Sequence, residues 1–133
     1  MDAPLSDLAQ LLRHLEPDLH EGAYAFVLLP SGTDLTGLDA VVTVHETEGL
    51  TVVVPEAVAL AHHWPVLFRA AWITLRVHSD LNAVGLTAAF AGALAQAGIS
   101  CNVVAGACHD HLFVPIDQAV STLAALRSLQ LRS

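Results

Sequence analysis

The chain has 133 residues, which is enough for one compact domain or for two small domains packed closely together. Hydrophobic residues make up 54% of it, yet no uncharged apolar run approaches the roughly 20 residues that span a bilayer, so no membrane partner is expected. The net charge of −8, with five Lys plus Arg, argues against binding to nucleic acid or to an anionic membrane surface.

The start of the chain, MDAPLSDLAQ, lacks the basic segment and the apolar core of a signal peptide. We therefore expect a cytoplasmic protein. Two cysteines do not make a disulfide framework, and both are expected to be reduced.

The first half of the chain predicts a helix, a strand, a hairpin and a second short helix. LSDLAQLLRHLEP has leucines at helical spacing and ends at Pro17. YAFVLLP is typical of a buried strand that Pro30 closes. AVVTVHE and LTVVVP are β-branched runs joined by TEG, which predicts a hairpin, and EAVALAHH follows as a short helix.

The second half has a clearer pattern. WITLRVHS alternates between apolar and polar side chains, as a half-buried strand does. A helix is predicted over residues 83–97, with Gly98 as its C-terminal stop. ISCNVVAG and HDHLFVP predict two further strands. DQAVSTLAALRSL predicts a final helix with Val120, Leu123 and Leu126 facing inward.

This order of elements, β-α-β-β-α, is that of a ferredoxin-like fold (βαββαβ) without its last strand. The predicted fold class is therefore α+β, a sandwich of one antiparallel sheet with helices on one face. The missing strand could come from the first half of the chain. In that case the two halves share a sheet or interlock, and neither folds alone.

The stretch LRVHSDLNAVGLTAAFAGALAQAGISCNVVAG resembles the core of an ACT domain, and the resemblance extends over about residues 72–130. VVTVHETEGLTVVVPE in the first half resembles part of small stand-alone proteins with paired ACT-like units, which are similar to the tandem regulatory region of aspartate kinase. There the loop PSGTDLTG replaces the first crossover helix. The resemblance implies two interlocked ACT-like halves, an incomplete one over residues 1–66 and a second over residues 67–133, in one compact folding unit.

The resemblance also implies a ligand site. In the family, effectors bind where two ACT units meet, at the turn after the first strand and at the start of the second strand. By position, the ligand-binding residues are Asp80, Leu81, Asn82, Ala83, Val84, Gly85, Ser100, Asn102 and Val103. A helix N-terminus with free backbone N–H groups suits the carboxylate of an amino acid, and a glycine there permits close approach.

Gly85 and Asn102 each have a second interpretation. Gly85 could instead be a packing glycine between a helix and a strand. The amide of Asn102 can bind a zwitterion, but it could equally satisfy a neighbouring backbone group in a strand.

The histidines suggest a weaker alternative site. If the apolar residues of these strands face the helices, alternation places His78, Asn102, His109 and His111 together on the opposite face. His78, His109 and His111 could then bind Zn²⁺. Two or three histidines without a closed ligand set are a weak signal, so a half-exposed face of neutral imidazoles is favoured. No cofactor or metal is expected.

No catalytic motif is present, so the chain is not expected to be an enzyme. The predicted function is a regulatory, allosteric protein that binds a small molecule, in particular an amino acid, and forms a homo-oligomer. Two alternatives remain: a structural or interaction protein that keeps the ACT fold without ligand binding, and a metal-binding protein that uses His109 and His111.

Overall fold

The computed structural model describes Pro4 and residues 6–133. Its strands are β1 Pro17–Leu19, β2 Tyr24–Leu29, β3 Val42–His45, β4 Leu50–Pro55, β5 Phe68–Leu75, β6 Asn102–Ala105 and β7 Asp110–Pro115. Its α-helices are α1 Leu8–Arg13, α2 Glu56–Ala61, α3 Leu86–Gln96 and α4 Ala119–Leu131, and a 3₁₀ turn, Ile116–Gln118, precedes α4.

The chain forms two compact units that do not follow its order. One unit is Glu21–Ala70, which we call the inserted unit, and the other joins the described residues up to His20 to Ala71–Ser133, which we call the composite unit. The sequence predicted a division into residues 1–66 and 67–133, based on chain order. That division stays a prediction.

In the inserted unit the strand order is β3–β4–β2, and the first residues of β5 pair with the far side of β2. All these pairs are antiparallel. The segment 30–41, between β2 and β3, contains turns and no helix. The expected replacement of the first crossover helix by a loop is therefore confirmed.

In the composite unit the order is β6–β7–β5, with β1 antiparallel to β5. Pro17 lies opposite Leu75 and Leu19 lies opposite Ile73. In a ferredoxin-like sheet this is the position of the last strand, which the second half of the chain lacks. The first half supplies it, as the order of elements predicted.

The core of the composite unit lies between the sheet and the helices on one of its faces. Leu11 and Leu15, from α1 and the turn after it, are fully buried there beside Ile73 and Leu75 of β5. Phe90 of α3 completes this cluster with no exposed surface. Burial of such side chains is the dominant stabilising term in a domain of this size.

The final helix faces the core with Leu123 and Leu126, as predicted, but not with Val120. Val120, expected to face inward, is 79% exposed, and Thr122 is buried instead. A 3₁₀ turn, Ile116–Gln118, leads into this helix. Thr122 satisfies its hydroxyl by donating to the carbonyl of Gln118 at 2.8 Å. Leu126 is fully buried, as predicted.

Candidate ligand-binding site

The chain between β5 and α3 is a turn that its own side chains stabilise. Asp80 Oδ1 accepts a hydrogen bond from the backbone N–H of Asn82 at 2.8 Å, and the carbonyl of Asp80 accepts one from the N–H of Ala83 at 2.9 Å. This is an Asx turn, which aspartate forms readily. The predicted helix over residues 83–97 therefore starts three residues later, at Leu86.

Gly85 ends this turn and is the N-cap of α3, with a φ of +103°. L-residues rarely adopt this backbone conformation, and a Cβ here would lie 3.1 Å from Cδ2 of Leu8. Both the turn and its packing against α1 therefore require glycine. The packing interpretation named a helix and a strand, whereas the neighbour of Gly85 is Leu8 of α1. This packing is compatible with a place beside a ligand.

The turn forms one wall of a cavity of about 340 Å³ in the composite unit. The residues that line the cavity are Ser79, Asp80, Leu81, Ala83, Val84, Gly85, Leu86, Thr87, Ala105 and Asp110. Five of the six turn residues that the sequence suggested are among them, and Asn82 is not.

The N-terminus of α3 opens into this cavity. No side chain of Pro4 or of residues 6–133 caps the helix, and its first backbone bond runs from the N–H of Ala89 to the carbonyl of Gly85. The N–H groups of the residues before Ala89 have no carbonyl partner within the helix. They add to the partial positive charge at this end of α3, which favours an anionic group such as a carboxylate.

Asp110 lies on the opposite wall, as the first residue of β7 and the partner of Ala105 in β6. It is only 8% exposed. Burial raises the pKa of its carboxyl group, and the charge of His109 partly offsets this rise. The sequence analysis missed Asp110 as a cavity residue, although it shares strand parity with the core residues Leu112 and Val114.

The predicted strand residues lie elsewhere. Ser100 is exposed, Val103 packs against the core, and Asn102 pairs with Phe113 at the end of β6 that is remote from Ala105. The Asn102 amide donates to the carbonyl of Phe113 at 3.5 Å, the backbone interaction considered as its second interpretation. None of the three lines the cavity, and their role in ligand binding stays a prediction.

The histidines separate into two groups. The rings of His78 and His109 lie 6.3 Å apart, and Nδ1 of His109 is 3.3 Å from the carbonyl oxygen of Val77. His111 interacts instead with Trp72 and Thr74. Across Pro4 and residues 6–133, no group of three His, Cys, Asp or Glu side chains is placed to hold a metal ion. The suggested set of His78, His109 and His111 does not form such a group.

A polar cluster that the sequence did not predict surrounds His111. His20 stacks on Trp72, with ring centroids 3.4 Å apart, and its Nε2 lies 2.7 Å from Oγ1 of Thr74. Thr74 is 1% exposed, so its hydroxyl depends on these imidazoles for hydrogen bonds. His20 could not be assigned to this cluster before the pairing of β1 with β5 was known.

The fold and the cavity together define a class: a tandem of ferredoxin-like units with an open pocket beside the first crossover helix of one unit. Comparisons with known proteins identify the family. Models of the ACT domain match residues 3–71 and residues 68–128. The chain belongs to the ACT domain family. No helix in the described part of the chain is long and apolar enough to cross a membrane.

Solved structures agree with this assignment. A protein of unknown function from Vibrio cholerae, described as a possible transport protein, is 40% identical with a TM-score of 0.84, over 92% of this chain and 95% of that one. A protein from Agrobacterium tumefaciens is 16% identical with a TM-score of 0.65, over 86% and 87% of the two chains.

The regulatory subunit of aspartate kinase from Thermus thermophilus is 11% identical with a TM-score of 0.65, over 85% of this chain and 95% of that one. At this identity the likeness concerns the fold.

Among curated proteins, none matches the chain. ACT domains are small-molecule regulatory modules, so membership in the family gives this protein a regulatory role of that kind.

Proposed function

We propose that this protein is a non-catalytic regulator that binds an amino acid in the cavity beside the turn Asp80–Gly85. The observation that carries the proposal is the cavity itself. If the protein had kept the ACT fold for structure alone, side chains could have closed this turn. A space of about 340 Å³ remains open instead.

The cavity suits a zwitterion because its lining includes both the N-terminus of α3 and the carboxyl groups of Asp80 and Asp110. The free N–H groups of α3 and the partial charge of its N-terminus attract a carboxylate. The family resemblance to amino-acid-regulated proteins supports the same ligand class. Ligand binding would act as a population shift, favouring one state of the protein over another.

We place the protein in the cytoplasm and expect it to form a homo-oligomer. Its regulatory effect would pass to a partner. The metal-binding alternative gains no support from the arrangement of His78, His109 and His111, and the structural alternative gains none from the open turn.

A thermal-shift screen against the proteinogenic L-amino acids tests the proposal. An amino acid that binds the native state raises the melting temperature, and the rise grows with the logarithm of its concentration once that exceeds Kd. We expect one or a few amino acids to do so with the wild-type protein. The variant Gly85→Val should lose this shift, because its side chain would distort the turn and approach Leu8.

The matched control is Gly98→Val, at the other end of α3. Gly98 also has a positive φ, of +74°, but a Cβ there meets nothing within 4 Å and it does not line the cavity. Both variants should lower the melting temperature without ligand, since both strain the backbone. Only Gly85→Val should abolish the amino-acid shift. If both variants keep the same amino-acid shift, the ligand does not bind at this turn.

A further inference from the structure

We infer that Asp110 is the group that recognises the ammonium of the ligand in this cavity, so that the protein distinguishes amino acids from acids that lack an amine. The inference rests on the proposed function and adds to it a specificity-determining residue. It depends on three observations: the burial of Asp110, the absence of a partner for its carboxylate, and the charges around it.

Asp110 lies in line with apolar core residues of β7. The next residues of β7 with the same parity, Leu112 and Val114, are fully buried in the core. Asp110 itself is 8% exposed, yet among Pro4 and residues 6–133 its carboxylate has no hydrogen-bond or ion-pair partner. No fully buried side-chain oxygen in the described part of the chain lacks a partner, so the Asp110 carboxylate keeps contact with the open cavity, where a cationic group of a ligand can pair with it.

The charges that face Asp110 leave room for a cation. His109, directly before β7, is the neighbour that lowers the pKa of Asp110 by its charge. From the turn, Asp80 also lines the cavity, but its Oδ1 already accepts the N–H of Asn82. No lysine or arginine is among the lining residues, and Ala105 and the start of α3 add no charged side chain.

These charges select a class of ligand. A simple anion would meet Asp110 and Asp80 together, which opposes its binding. An α-amino acid can place its carboxylate at the N-terminus of α3 and its ammonium at Asp110. The α-hydroxy acid of the same shape would leave the carboxylate of Asp110 without a cationic partner.

The test compares paired probes on the wild-type protein and on Asp110→Asn. The pairs are L-alanine with L-lactate, L-aspartate with L-malate and L-phenylalanine with L-phenyllactate, together with any other amino acid that the screen identifies and its α-hydroxy counterpart. Wild-type protein should bind the amino acid and not the hydroxy acid. In Asp110→Asn, affinity for the amino acid should fall about tenfold or more.

Asp110→Asn should also melt at a higher temperature than the wild type when no ligand is present, because the buried charge is gone. Glu48→Gln is the matched control: it removes one negative charge from an exposed hairpin residue and should change neither property. If Asp110 had a purely structural role, its replacement would not both raise the melting temperature of the free protein and weaken ligand binding.

The outcomes separate this inference from the proposed function. If an amino acid binds but Asp110→Asn binds it as tightly as the wild type, or if the hydroxy acid binds the wild type equally well, the role of Asp110 is overturned while the amino-acid site stands. If no amino acid raises the melting temperature of the wild type, both are overturned.

Discussion

His111 accepts a hydrogen bond at Nδ1 from the indole N–H of Trp72, with 3.1 Å between the two nitrogens. Because indole is only a donor, this nitrogen of His111 carries no proton while the bond exists. Oγ1 of Thr74 lies 3.1 Å from the same nitrogen. Burial lowers the pKa of His111, and positive charges nearby lower it further. The folded protein therefore favours the neutral imidazole.

This preference makes stability depend on pH. The unfolded chain takes up the proton near pH 6.5, before the folded chain does. The stabilising contribution of neutral His111 is thus present above pH 6.5 and is lost as the pH falls toward the lower folded-state pKa. In His111→Gln the side-chain oxygen can still accept from Trp72 but does not titrate. We expect a smaller loss in the free energy of unfolding between neutral pH and about pH 5.

Urea unfolding at a series of pH values measures this difference. His45→Gln, at an exposed hairpin position, removes a histidine outside the cluster and should keep the pH dependence of the wild type. A His111→Gln variant with an unchanged pH profile would show that His111 does not carry the effect.

The sequence could predict the turn of the ligand site but not its opposite wall. The resemblance to the ACT core, carried by a local stretch with an aspartate before a glycine that opens a helix, implied six turn residues as ligand-binding, and five of them line the cavity. Asp110 is remote from the turn in sequence. Its place in the cavity depends on which end of β7 lies beside the end of β5, which is a property of the sheet. The same reason separates Asn102 from the turn, since it lies at the other end of β6.

At the scale of elements, residues 6–20 complete the composite unit. β1 pairs with β5, and Gln130 of α4 donates to the carbonyl of Arg13 at 2.8 Å. A three-residue strand such as β1 carries no periodicity, so only the incomplete β-α-β-β-α order indicated that a strand was missing. The 3₁₀ turn before α4 has no strong sequence signal either.

If residues 6–20 are part of the core, shortening one of their buried side chains should destabilise the protein as a core mutation does. Leu15 is fully buried against the composite unit, so Leu15→Ala should lower the free energy of unfolding by about 2–5 kcal/mol, through lost burial and the cavity left behind. Leu131→Ala, at a side chain that is 87% exposed, is the control and should change stability little. Urea unfolding measures both. Equal, small effects would contradict the place of Leu15 in the core.

At the scale of the whole molecule, the two units repeat the same local devices. Oδ1 of Asp34 accepts the N–H of Thr36 at 2.9 Å, as Asp80 does for its own turn. Pro55 and Pro115 end their strands with nearly equal backbone angles, φ −53° and ψ 138° against φ −52° and ψ 136°. The units are therefore two versions of one plan, and they differ in whether a crossover helix is present.

The composite unit is discontinuous in the chain, and a rearranged chain can test it. Residues 71–133 alone lack α1 and β1, so they should show no cooperative unfolding transition by circular dichroism. A variant in which a Gly/Ser linker joins Ser133 to residues 6–20 restores the βαββαβ order. The bond from Gln130 to Arg13 brings the last turn of α4 to the end of α1, so the linker has to run back along α1 to residue 6. This variant should fold cooperatively.

The control is the same rearranged chain with Leu11→Ala and Leu15→Ala. It should not fold cooperatively, because both side chains are fully buried. Cooperative unfolding of residues 71–133 alone would mean that the first 20 residues are an accessory to this unit and not a part of it.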